Sequence, residues 1–181
     1  MRHALPTLDT LAADLASRRS TALALTEAAL ARAQDPAGEG ARAFTLLDAE
    51  RALAAARASD LLRAAGIVRS PLEGMPVSVK DLFDVEGQVT TAGSAVLKGT
   101  APAVRNAPVI DRLIAAGAVI VGRTNMTEFA FSGLGLNPHY GTPANPWDRA
   151  TRRIPGGSSS GAAVSVADGM AALAIGSDTG G

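Results

Sequence analysis

Three groups of residues have the types and spacing for chemistry. The first is Pro155-Gly156-Gly157-Ser158-Ser159-Ser160-Gly161, which sets hydroxyls among glycines at the mouth of a helix. Backbone N–H groups are unpaired there and the helix dipole is positive. Three readings compete: a flexible Gly/Ser loop with Ser158 or Ser159 as N-cap, a phosphate cradle, or a site built on a serine hydroxyl and an oxyanion hole. The phosphate cradle is weak, because a P-loop closes with Gly-Lys-Ser/Thr and no lysine follows Gly161. Serine catalysis needs a base, since the alcohol attacks only when its proton has somewhere to go. The second group supplies one. Lys80 leaves an apolar strand and is followed by Leu82 and Phe83. A free lysine, with a pKa of about 10.4, is no base at neutral pH, but burial lowers that value. Lysine among hydroxyls then relays protons. The competing reading is a surface lysine paired with Asp81, Asp84 or Glu86. The third group is Asp178-Thr179-Gly180-Gly181. It reads either as backbone N–H groups turned into one concavity or as a plain turn with Asp178 bonding nearby backbone.

Composition removes the rival chemistries. The 181 residues contain no cysteine, which excludes a disulfide framework, Cys-based metal sites and a thiol nucleophile. The two histidines are His3, near the terminus, and His139, in a Pro-rich loop. Neither sits on a framed element, and two histidines cannot make a three-His metal site. Lys plus Arg and Asp plus Glu both number 17, so no electrostatic case exists for nucleic-acid binding. The hydrophobic fraction of 47% is enough for a large core. The longest apolar stretch, residues 162–175, is interrupted by Ser165, Asp168 and Gly169 and is too short to span a bilayer. No targeting segment stands out, so the expectation is a soluble cytoplasmic protein.

These groups need a frame. Residues 1–70 read as helices: one after Thr7 with Leu8, Leu11, Ala12 and Leu15 at helical spacing, and one capped by Ser20 and running to about Ala33. A third, from about Asp48 to Ala65, carries Ala54, Ala58, Leu61, Leu62 and Ala65 as its apolar stripe. Beyond Pro71 the texture changes. Residues 77–80 alternate like a strand. Asn106 is placed to cap a helix with Pro108 in its first turn and Gly117 at its end. Residues 118–121 follow as a buried strand. Residues 133–157 are rich in Gly, Pro and Asn, and so long an irregular stretch points to a site. A helix from about Ser159 to Asp168 leads to a strand over residues 170–175. Helix–turn–strand order of this kind argues for an α/β sheet.

Taken together, these segments resemble the amidase signature family of Ser–Ser–Lys amide hydrolases. The resemblance rests on Gly74-Met75-Pro76-Val77-Ser78-Val79-Lys80-Asp81, on Gly122-Arg123-Thr124-Asn125-Met126-Thr127-Glu128-Phe129 and on Asn145-Pro146-Trp147-Asp148. It is completed by the run from Pro155 to Gly161 and by Gly176-Ser177-Asp178-Thr179-Gly180-Gly181. It implies an α/β fold with a central mixed β-sheet flanked by helices, present as an incomplete N-terminal part. Residues 1–70 would be a helical segment packing on the core, and residues 71–181 the N-terminal part of the amidase signature core. Lys80 would be the catalytic lysine and Ser158 the bridging serine, which in relatives follows a cis peptide bond. Thr179, Gly180 and Gly181 would supply oxyanion-hole donors, with Ser159 and Asp178 in support. The resemblance implies a small-molecule carboxamide as substrate and hydrolysis to an acid and ammonia or an amine, with no cofactor and no metal. Homo-oligomers and amidotransferase partner subunits both remain open.

One departure follows from the same resemblance. The family's acyl-forming serine comes directly after the Gly-Gly pair, and Gly181 is the last residue here. The expectation is a chain inactive by itself, read as part of an amidase, as part of an amidotransferase subunit, or as a non-catalytic truncated fragment.

Overall fold

The computed structural model describes residues 5–180, so His3 and Gly181 lie outside the described residues. A four-stranded sheet runs in the order β1-β3-β2-β4, with β1 Phe44–Leu47, β2 Pro76–Lys80, β3 Val119–Thr124 and β4 Leu173–Ile175. β2 pairs in parallel with both β3 and β4, while β1 runs antiparallel to β3. The sheet is therefore mixed, as the resemblance implies. The helices are α1 Leu8–Ala16, α2 Ala22–Gln34, α3 Gly40–Ala43, α4 Ala49–Ala64, α5 Pro108–Ala115 and α6 Ser160–Ala167.

Two apolar clusters cover the two faces of the sheet. Val77 and Val79 of β2 pack with Val85, Ile110 and Leu113 under α5. Val119 and Val121 of β3 point the other way, into a cluster with Leu30, Ala52, Ala56 and Val164 from α2, α4 and α6. All five residues of β2 are buried, as a strand covered on both faces must be. Ser78, a polar residue in that strand, is satisfied by the Ser165 hydroxyl of α6 at 2.8 Å.

Local signals place most boundaries, with instructive exceptions. Thr7 caps α1, accepting from the Thr10 N–H at 3.2 Å. The cap of α2 is Thr21, one residue beyond the expected Ser20. Asn106 does not cap α5. Its Oδ1 accepts from the Glu86 N–H at 2.7 Å and its Nδ2 donates to Asp111, so it ties a loop to the helix, and Ala107 stands at the N-cap. β4 starts later than expected because the Met170 and Ala171 N–H groups still bond the Ser165 carbonyl of α6.

The helical reading of residues 1–70 needs correction in two places. Residues 44–47 form β1, a strand of the same sheet. It is entered directly from α3, and the Asn125 N–H bonds the Ala43 carbonyl at its start. The buried positions of α4 are Ala52, Ala56 and Ser59, whereas Leu61 is 73% exposed and Ala54, Ala58 and Ala65 face solvent. In so Ala-rich a helix the small face admits a close neighbour, and α2 takes it. Asp60 Oδ1 and Oδ2 accept from the Ala22 and Leu23 N–H groups at 2.8 and 3.0 Å, satisfying the first turn of α2.

Candidate active site

Lys80 is the last residue of β2 and its side chain is fully buried. By strand alternation it shares a face with Ser78, toward α6. Its Nζ donates to Ser158 Oγ at 2.6 Å, to Ser177 Oγ at 2.8 Å and to the Ser177 carbonyl at 3.3 Å. An ammonium has three donors, and this geometry gives each an acceptor. Burial pushes the Lys80 pKa down from its ordinary value, and the nearby Asp178 charge partly opposes that. The net direction is toward easier loss of the proton, as a base requires.

The serine loop reaches Lys80 through backbone constraints. The Gly157–Ser158 peptide bond is cis. The Ser158 carbonyl accepts from the N–H groups of Thr127 and Ser160, both at 3.0 Å, which anchors the loop to the chain leaving β3. α6 then begins at Ser160, packed so tightly that a Cβ on Gly161 would lie 2.1 Å from the Ala43 carbonyl oxygen. Only glycine fits that crossing. Ser159 occupies the N-cap position, yet its side chain caps nothing. Its Oγ donates to the Ser177 carbonyl and accepts from the Ser177 N–H, each at 3.3 Å.

Ser177 is therefore the hub that sequence reasoning passed over. It follows β4, bonds Lys80 twice and is clasped by Ser159. The only sequence signal was its place before Asp178 in the run after a buried strand. Asp178, Thr179 and Gly180 follow, all exposed. The Gly180 N–H donates to Asp178 Oδ1 at 3.2 Å, so the turn reading describes this segment as it stands. Gly180 would have to release that bond to serve an oxyanion. The Gly181 assignment lies outside the described residues.

Ser158 and Ser177 open onto a cleft of about 600 Å³ lined also by residues 129–133, Gly157 and residues 178–180, with Lys80 buried behind them. Phe129 and Ala130 on its wall both have positive φ, at 53° and 57°. Phe131 projects from the same wall, 93% exposed. His139 Nε2 lies beside Glu128 Oε1 at 3.1 Å and hydrogen-bonds neither Lys80 nor Ser158. Among the described residues no cluster of His, Asp and Glu is arranged to hold a metal ion. No helix among them is long and apolar enough to cross a membrane.

A mixed α/β sheet that presents a buried amine to serine hydroxyls, with no imidazole hydrogen-bonded to it among the described residues, defines an α/β protein with a serine–lysine centre. The chain belongs to the Amidase family, whose model matches residues 24–181. It is 48% identical over 169 residues to the A-subunit of glutamyl-tRNA(Gln) amidotransferase from Chloroflexus aggregans. That match covers 92% of this chain and 33% of the relative. Among solved structures it is similar to one described as a vestigial protein complex that reveals the evolutionary origins of an s-triazine catabolic enzyme. Identity there is 43% and the TM-score 0.89, with 96% of this chain and 37% of that chain covered. It also resembles native peptide amidase from Stenotrophomonas maltophilia, at 36% identity and TM-score 0.82, covering 94% of this chain and 36% of that one. The chain thus spans about a third of the length of the relatives it matches.

Proposed function

We propose that these residues carry the proton-relay half of an amide-hydrolysing centre. The observation that supports this reading best is the buried Lys80 amine 2.6 Å from Ser158 Oγ. Lys80 is the base, Ser158 bridges to it, and Ser177, Ser159 and Asp178 hold the amine and the turn in register. Thr179, Gly180 and Gly181 are assigned as oxyanion donors. In the intact enzyme a serine after the Gly-Gly pair loses its proton through Ser158 to Lys80 and attacks the carboxamide carbon. The C–N bond breaks as the proton returns to the leaving nitrogen. The products of this step are ammonia or an amine and an ester on that serine. Water then cleaves the ester to the acid, using the same relay in reverse. The groups assigned here use neither metal nor cofactor.

The division proposed is a leading segment, residues 1–70, packed on the core-forming residues 71–181, with β1 the strand that the leading segment contributes to the sheet. Residues 1–181 taken alone are expected to release no ammonia from simple amides. The test is an enzyme in which the serine and the rest of the sheet follow Gly181. Hydrolysis that vanishes in Lys80→Met and falls sharply in Ser158→Ala supports the assignment. Hydrolysis by residues 1–181 alone, or full activity in Lys80→Met, overturns it.

A second reading is a catalytic subunit that passes ammonia to a partner. It is favoured by the 48% identity to the A-subunits of amidotransferases against 36% to peptide amidase. A partner protein that co-purifies with the intact enzyme and raises its activity would select this reading. An intact protein fully active on small amides by itself would select the free amidase.

A further inference from the structure

The residue after Lys80 is an aspartate, and it is as buried as the lysine. Asp81 is 1% exposed, and so is Arg123 of β3. Arg123 Nε donates to Asp81 Oδ1 at 2.8 Å. The same carboxylate accepts from the Thr91 N–H at 3.2 Å, from Thr45 Oγ1 at 3.0 Å and from Thr91 Oγ1. Its backbone is held as firmly: the Asp81 N–H donates to the Thr124 carbonyl at 3.0 Å, and its own carbonyl accepts from the Ala92 N–H at 2.8 Å. Arg123 pairs in register with Val79, so it lies on the sheet face opposite Lys80. Its Nη2 donates to the Phe83 carbonyl at 2.6 Å and to Thr90 Oγ1 at 3.2 Å.

We propose that Asp81 and Arg123 form a positioning pair for Lys80. They lock the chain immediately after it and hold the carboxylate nearest to it in sequence on the far side of the sheet. The inference rests on the reading of Lys80 as the base. A carboxylate free to reach the amine would bind the ammonium and hold its proton. Four donors saturate Asp81 and prevent that, while the Arg123 charge cancels the field that the carboxylate would otherwise cast across the strand. The charged group acting on Lys80 is Asp178 after β4, while Asp81 next in the chain and Arg123 of β3 pair with each other on the opposite face. Against the same face, α6 presents the serine that meets Ser78.

Lys80 and Lys98 are the two lysines of the sequence, so lysine labelled with ¹³C at Cε gives two signals, and the one that Lys80→Met removes is followed against pH. Asp81→Asn leaves the Arg123 charge uncancelled and is expected to lower the Lys80 midpoint by about one pH unit. Arg123→Met leaves the carboxylate uncancelled and is expected to raise it by a similar amount. The double variant is expected to return it close to that of the unaltered chain. Should Arg123→Met fail to fold, Asp81→Asn and the double variant decide, since neither retains an unpaired buried carboxylate. Loss of packing alone would move both single variants the same way. Shifts of one sign, or a Lys80 signal indifferent to Asp81→Asn, overturn the pairing role. A Lys80 midpoint at the ordinary lysine value of about 10.4 in the unaltered chain instead overturns the reading of Lys80 as the base.

Discussion

Lys80 and Arg123 are two buried cations on opposite faces of one sheet, and they are treated differently. Arg123 meets a carboxylate, and its Nη1 is left buried without a hydrogen-bond partner. Lys80 hydrogen-bonds serine hydroxyls and a carbonyl. An ion pair fixes the charge of both partners and makes a scaffold. Hydroxyls accept from the ammonium and donate to the amine, so they tolerate either protonation state. The contrast separates a charge kept for architecture from one kept for exchange.

The sharpest way to break this contrast is to remove the exchangeable member. In the active enzyme, Lys80→Met is expected to lower kcat by about 10²–10⁴-fold, the usual worth of a positioned base, with folding preserved. Ammonia release and a thermal melt read the two effects separately. Removing the architectural member should show first in stability. Arg123→Met strands the Asp81 carboxylate, and breaking a buried pair costs about 3–5 kcal/mol, measurable as a lower urea midpoint. Gly161→Ala tests the crossing that brings the serines to Lys80. Its Cβ would clash with the Ala43 carbonyl, and overpacking of that kind costs about 1–3 kcal/mol. Leu61→Ser, on the exposed face of α4, should change stability by less than about 0.5 kcal/mol.

The titration itself gives a further, smaller effect. With its pKa lowered by burial, folded Lys80 binds fewer protons than unfolded Lys80 between that lowered value and the ordinary 10.5. Stability from this group therefore rises with pH across that window. Lys80→Met should flatten the rise in unfolding free energy measured at successive pH values. Glu73 acts with the same sign in a more acidic window. Burial alone would raise its pKa, but the Arg69 fork at 2.5 and 2.7 Å holds it below the ordinary carboxylate value. Its contribution is present above the unfolded carboxylate pKa and fades as the solution is acidified through the folded one.

How much of this was legible in the sequence follows from what each residue encodes locally. β2, α5, β3 and α6 were readable because alternation, Pro108 and the bounding glycines act over a few residues. β1 was not, because four residues between two Ala-rich helices carry no alternation long enough to register. The buried face of α4 was misread because alanine is compatible with either side, and only α2 decides which side is covered. At the site, Lys80 and the serine run stood out by residue type. Ser177 did not. Its importance is a contact between positions 97 residues apart, which no local pattern announces.

That separation has a kinetic consequence. Lys80 meets Ser158 and Ser177 across 78 and 97 residues of chain, through parallel pairing of β2 with β4. Contacts of such high sequence separation close slowly, after local helices are in place. The amine therefore stays hydrated, with an ordinary affinity for protons, until β4 docks. Nascent or partly refolded molecules would lack the relay, and the environment of one side chain would report that β4 has joined β2.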